Sequence, residues 1–294
     1  TVNSASINNK GIEAIINVVP VQSRDFTWEV TGQFSKLKSE VLSIADGISK
    51  VYVAGYTGRG NIAIPGMPFG IMEGSTIARD YGSLDGLDVT QVHSDDRLNY
   101  TPFLDANGGY TYLGTGMIGD PQPDFVYGVT NTLSYKWATI RVQFDHQVGG
   151  DMFTTTVSTM TGRGILGNTG FDRFVPVITS GLKLDGTPYT KQTTANQHYW
   201  PNTGVFYDEQ SVYDASTMRL REVSLSLVAP KSFLNGTPFG NASLTLSAQN
   251  IWHLAYNTPK DSNFDPEVSS YGTGNNVRGF DEMTGPTAKK YGAT

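Results

Sequence analysis

The strongest constraint on this chain is apolar–polar alternation sustained over segments longer than ordinary strands. Phe26, Trp28, Val30 and Phe34 share one face, and Thr27, Glu29, Thr31 and Gln33 share the other. From Phe125 to Trp137, the apolar face carries Phe125, Tyr127, Val129, Leu133, Tyr135 and Trp137. Gly128, Thr130, Thr132, Ser134 and Lys136 oppose them. Ile140, Val142 and Phe144 then alternate with Thr139, Arg141, Gln143 and Asp145. Leu244, Leu246, Ala248, Trp252 and Leu254 alternate with Ser243, Thr245, Ser247, Gln249 and His253. A period of two is the side-chain repeat of a strand with two unlike faces. These segments run about 9–13 residues, whereas ordinary strands average about 5–6 and membrane-spanning strands need about 9–11.

Parity breaks once, between Leu220 and the run Val223, Leu225, Leu227. A β-bulge there restores the register. Helical periodicity is nearly absent. The best helical candidate is Ser39–Ile48, which is short, weakly amphipathic and interrupted by Gly47. Connectors alternate between short ones, such as Ala229-Pro230-Lys231-Ser232, and long ones at 46–124 and 150–208. That asymmetry, with aromatic residues near segment ends, is the pattern of an outer-membrane barrel. The alternation implies roughly ten strands at the usual barrel spacing. A soluble β-sandwich or a β-helix also alternates, and the pattern alone leaves both open.

Composition bears on that choice. Charged residues make up 16% of the 294, below the roughly 25% of soluble domains, so much of the surface is expected to avoid water. No run of about 18 apolar residues occurs, so no transmembrane helix is expected and a membrane chain must close as a barrel. The net charge of −6 without a Lys/Arg patch argues against nucleic acid. Cysteine is absent. The start, Thr1-Val2-Asn3-Ser4, has no initiator Met and no signal pattern, and reads as the interior of a longer chain.

Ordered motifs run through the chain. They are Ala5–Glu13 (ASINNKGIE), Pro65–Gly70 (PGMPFG), Ile118–Phe125 (IGDPQPDF) with Gly128, Asn131 and Ser134-Tyr135-Lys136, and Phe144-Asp145 followed by Gly149-Gly150-Asp151. Then come Val212–Leu225 (VYDASTMRLREVSL), Ser247–Trp252 (SAQNIW), Asp265-Pro266-Glu267, and Gly285–Tyr291 (GPTAKKY). In this order they resemble the C-terminal half of SusC-like (SusC/RagA) TonB-dependent outer-membrane transporters of Bacteroidetes. The resemblance implies an all-β fold: the C-terminal part of a large transmembrane barrel with long extracellular loops. Residues 1–294 are then expected to be a fragment, lacking the plug domain, the early strands and the end of the closing strand.

The resemblance also implies a function. The chain would supply barrel wall and loops of an importer for glycans, oligosaccharides or peptides in the bacterial outer membrane. Its partners would be the rest of the barrel and its plug, a SusD-like lid lipoprotein, TonB acting through the plug, and outer-membrane lipid and lipopolysaccharide. The alternative is a scaffold subunit of a larger envelope complex that has lost transport.

Individual residues sharpen this. In lipid, arginine costs about 2–4 kcal/mol at the midplane, so Arg141, Asp145, Arg219 and Arg221 are expected to face the lumen, with Asp214 or Glu222 as ion-pair partners. The aromatic group His198, Tyr199, Trp200, Phe206 and Tyr207 lies outside any clear strand. It is a candidate contact for substrate or lid, against simple loop self-packing. No cofactor, metal centre or enzyme site is expected. The histidines, His93, His146, His198 and His253, have no ligand spacing. Asp95-Asp96 and Asp105-Ala106-Asn107-Gly108 leave only a loose calcium site open, since an EF-hand loop requires a Glu at its twelfth position. No phosphate loop or nucleophile elbow occurs.

Overall fold

A computed structural model describes residues 5–81, 99–202, 206–259, 261–262, 264–271 and 278–294. Its main element is a seven-stranded sheet with neighbours in chain order. The strands are β1 (Ala5–Gln22), β2 (Phe26–Ile44), β3 (Phe125–Tyr135), β4 (Ala138–Val148), β5 (Thr217–Val228), β6 (Ser243–Ala255) and β7 (Lys290–Ala293). Every pairing in it is antiparallel. The alternation led to roughly ten strands, and the described wall carries seven. The remaining strands belong to smaller sheets within the long connections.

An 11-residue strand such as β3 is about 36 Å long at 3.3 Å per residue. Tilted by about 45°, it spans close to the 25 Å apolar band of an outer membrane. The polar ends of the wall are unequal. Residues 23–25 and 136–137 make tight turns and 229–242 a moderate one, while 45–124, 149–216 and 256–289 are long. At the tightest turn, Tyr135 pairs with Ala138 and Lys136 sits at φ 50°. The Lys136 N–H donates to Asp25 O at 2.8 Å, joining that turn to the neighbouring one.

The expected bulge is present. Gln143 pairs with Glu222, and Phe144 with Leu220, so Arg221 is the extra residue in β5. The pairing with β6 skips at the same place, where Asn250 has φ 53°. A bulge turns two successive residues toward one face. It keeps Leu220, Val223, Leu225 and Leu227 together and leaves Arg219, Arg221 and Glu222 on the other side.

The wall has almost no core of its own. Among the described buried hydrophobic residues, Val41 alone belongs to the seven strands. Ile12 and Ile16 on β1, Phe34 on β2, Ile140 on β4, and Leu244, Leu246, Trp252 and Leu254 on β6 are all exposed. An apolar face this continuous is unfavourable in water and is the face a barrel presents to lipid.

The core lies instead in the long connections, which form a crown at one end of the wall. Val51–Tyr56, Arg59–Ala63, Ile71–Ile77 and Tyr112–Gly119 make a four-stranded sheet. Val212–Asp214, Asp151–Thr154 and Phe280–Asp281 make a three-stranded one. Met72, Ile118, Phe153 and Phe280 pack between them. A second cluster joins Met152, Val157, Leu166, Ala215, Phe264 and Val268. The sequence pattern missed these strands for a physical reason. Ile71–Ile77 is buried on both faces apart from Ser75, so it has no alternation to read. The helical candidate Ser39–Ile48 is overturned: Ser39–Ile44 continues β2, paired with β1 from Ser39 opposite Asn9 to Ile44 opposite Ala5, with the register shifting past Leu42. Cross-strand pairing outweighs a weak local preference.

The recurring motifs meet where crown joins wall. Asp151 N donates to Asp120 O at 2.7 Å, and Asp120 N donates to Asp151 Oδ2 at 2.8 Å. Gly149 and Gly150 hold φ of 73° and 83°. A Cβ on Gly149 would lie 2.7 Å from Asp124 Oδ2, so glycine is needed both for conformation and for space. Gly150 O then accepts from Ala215 N at 2.7 Å, which sets the entry to β5.

Candidate functional site

The most developed polar site is a charge network between β4, β5, β6 and the connection 256–289. Arg219, one residue pair into β5, is 1% exposed. Its guanidinium donates to both oxygens of Asp265 and, at 3.1 Å, to Thr287 Oγ1. Its Nε lies 3.3 Å from Glu267 Oε2. Arg221, the bulged residue, reaches Asp145 Oδ2 at 2.5 Å, Asn250 Oδ1 at 3.1 Å and both oxygens of Glu267. Gln143 Nε2 donates to Asp145 Oδ1 at 3.1 Å. Two cations thus meet three carboxylates.

Asp265 is the hub. It is 1% exposed and also accepts from the backbone N–H of Glu267 and Thr287. Burial pushes its carboxyl up, but the bonds from Arg219 and Thr287 outweigh that and hold it below the usual carboxylate range. A depressed folded-state value contributes stability that is complete above the unfolded value, about 4, and is lost as pH falls through the folded value. We therefore expect the 256–289 connection to stay docked at neutral pH and to become protease-sensitive below about pH 4. Equal protease resistance at pH 7 and pH 3 would refute this linkage.

The expected partners of these arginines were wrong. Asp214 Oδ1 accepts from Ser216 N at 2.6 Å, closing its own turn. Glu222 lies opposite Gln143 and Gln249. The partners are Asp145 on the neighbouring strand and Asp265 and Glu267, about 46 positions along the chain. Asp265-Pro266-Glu267 stood out in the sequence only as a motif. No local spacing links it to Arg219-Leu220-Arg221. Arg141 is exposed in mid-β4, opposite Thr132 and Ser224, away from this network.

The aromatic group divides in two. His198, Tyr199 and Trp200 lie on a short helix, Ala195–Asn202. His198 Nδ1 is 2.7 Å from Thr179 Oγ1, and burial pulls the imidazole down toward its neutral form. Tyr199 packs near Phe171, with ring centroids 6.1 Å apart, and Arg163 lies over Trp200 at 5.6 Å. Tyr207 instead packs against Tyr110 at 6.3 Å and donates to its carbonyl. Phe206 is 54% exposed. The rings of the helix and those of 206–207 do not share one platform.

Asp105 serves its own loop, since Oδ1 accepts from Asn107 N and Gly109 N, each at 2.8 Å. Among the described residues no group of three or more potential ligands gathers as a metal site. His93 and Asp95-Asp96 lie outside the described residues.

Known proteins match this arrangement. A TonB-dependent receptor of Formosa agariphila is 27% identical over 261 residues, covering 85% of this chain and 24% of the receptor. A second from the same organism is 26% identical and covers 98% of this chain and 28% of its own length. A solved structure of the RagAB peptide importer in a closed-closed state superposes over 99% of this chain and 29% of its own, with a TM-score of 0.61 at 18% identity. Over most of its length this chain is similar to TonB-dependent receptors, and its fold is like the matching stretch of the RagAB importer. No protein-family model matches it. The chain spans about a quarter of the length of the curated relatives it matches. The fold likeness makes the wall and its crown a stretch of partial β-barrel.

Proposed function

We propose that residues 1–294 form C-terminal wall and extracellular loops of a receptor barrel that imports glycans, oligosaccharides or peptides across the outer membrane. In this reading the polar face carrying Arg141, Asp145, Arg219 and Arg221 lines the lumen, and the exposed apolar face meets lipid and lipopolysaccharide. The crown faces outward, where a SusD-like lipoprotein acts as lid and Trp200 and Phe206 are available for contact. TonB acts through a plug in the rest of the barrel. The chain's own chemistry is binding and gating, with no bond made or broken.

The observation that carries this reading is the charge network. It ties a 34-residue outer connection, 256–289, to the inner-face side of the wall. A connection held by ion pairs at its base is suited to move as a unit when a ligand or lid arrives. The test is uptake. Cells deleted for the full-length receptor should lose import of a labelled oligosaccharide or peptide that wild-type cells take up. Deleting the TonB-interacting segment of the full-length protein should reproduce the loss. Unchanged uptake in both strains, with the barrel still assembled in the outer membrane, would favour a scaffold and overturn import.

A further inference from the structure

We propose that the cleft between the helices Thr155–Arg163 and Ala195–Asn202 is an oxyanion site that takes a carboxylate-bearing ligand. The cleft holds about 440 Å³ and is lined by Gly162, Arg163, Arg173, Asn196 and Trp200. That volume lies within the usual range of about 300–1,000 Å³ for small-ligand sites.

Its charge is anomalous for this protein. The chain carries a net −6, and its other described pair of neighbouring arginines, Arg219 and Arg221, is matched by carboxylates, as are the single Arg59 and Arg79. Here two guanidiniums share one cleft, and among the described residues neither has an ion pair. Part of this has a structural use. Arg163 closes the last turn of its helix, and Arg173 donates to Gly164 O just beyond it. A helix C-terminus carries only about half a negative charge, so two full positive charges exceed what it balances. Like charges brought together repel, and an arriving anion relieves that repulsion.

The donor set selects the anion's chemistry. Arg163 lies 5.6 Å from the Trp200 ring centroid. A stacked guanidinium keeps its in-plane N–H edges for hydrogen bonding. Arg173 is steered by its bond to Gly164 O. Gly164 sits at φ 70°, and any side chain there would occupy the Arg173 position. The Asn196 amide adds a further donor group at the cleft wall. Guanidinium edges match the planar two-oxygen geometry of a carboxylate, and the indole beside them offers a face for the ring or apolar body that bears it. Two ligand classes present this group: an acidic sugar and an acidic peptide. The proposal deepens the import reading at Trp200 without depending on transport.

The test uses the full-length receptor purified in detergent, titrated calorimetrically at low salt. The probes are a galacturonate trisaccharide and a glutamate tripeptide, each against its neutral counterpart, a galactose trisaccharide and a glutamine tripeptide. At least one charged probe should bind tenfold or more tighter than its neutral partner, and whichever does identifies the carrier. Arg163→Gln with Arg173→Gln should bring that probe to its neutral partner's level, and added salt should weaken it. Arg163→Lys should lose part of the preference while keeping the charge. Arg24→Gln, in the short β1–β2 turn, should change nothing. Equal binding of charged and neutral probes, or undiminished binding by a folded double glutamine variant, overturns the site. Charge-selective binding together with unchanged uptake in receptor-deleted cells would instead count against transport and leave the cleft in place.

Discussion

Replacing Arg219 by alanine should destabilise the receptor by about 3–5 kcal/mol and free the connection that carries Asp265 and Glu267. The magnitude follows from burial. Arg219 and Asp265 are each 1% exposed and bond through both carboxylate oxygens. Removing the cation leaves a desolvated carboxylate with Thr287 and two backbone amides as its remaining donors. The pair itself adds little net stability, because the attraction must first offset the desolvation of both ions. Substituting Arg219→Met together with Asp265→Leu should therefore recover most of the loss. Thermal unfolding in detergent and protease mapping of 256–289 read both effects. An Arg219→Ala receptor with wild-type melting and protease resistance would show that the network does not hold the connection.

An arginine at Val142 should impair barrel assembly by about 2–4 kcal/mol, whereas an arginine at Ser247 should be tolerated. Val142 lies in the middle of β4, between Asn131 and Val223, on the same face as exposed Ile140. Ser247 lies on the opposite face of β6, across from Ser224. If the apolar face meets lipid, the first substitution places a charge in hydrocarbon and the second places it in water. The folded fraction in outer membranes, read by heat-modifiable migration, separates the two. Equal assembly of both variants would remove lipid from the apolar face.

Much of the wall was legible because one physical rule wrote it. A strand between two unlike solvents must alternate, so β2, β3, β4 and β6 stand out as period-two runs, and the parity break marked the bulge at Arg221. The crown was not legible. Its strands are short and enclosed on both sides, as Ile71–Ile77 is, and its helices are brief and weakly patterned. The site was half legible. Arginine in a lipid-facing strand is costly, which directed Arg219 and Arg221 to the polar face, but nothing local named their partners.

The long alternating segments were determined by sequence alone, and so was the bulge, because each depends on which side chains neighbour one another along the chain. Their order and asymmetric connections also allowed the barrel class to be read. Tertiary structure alone decided what the alternation was for at the rim. It placed Asp145, Asp265 and Glu267 around two arginines of β5. It also brought Arg163 and Arg173 to one cleft beside Trp200. Both are matters of charge held at short range between segments far apart in sequence. Coulomb attraction and desolvation depend on distance in space and on burial, and a linear pattern of residues records neither.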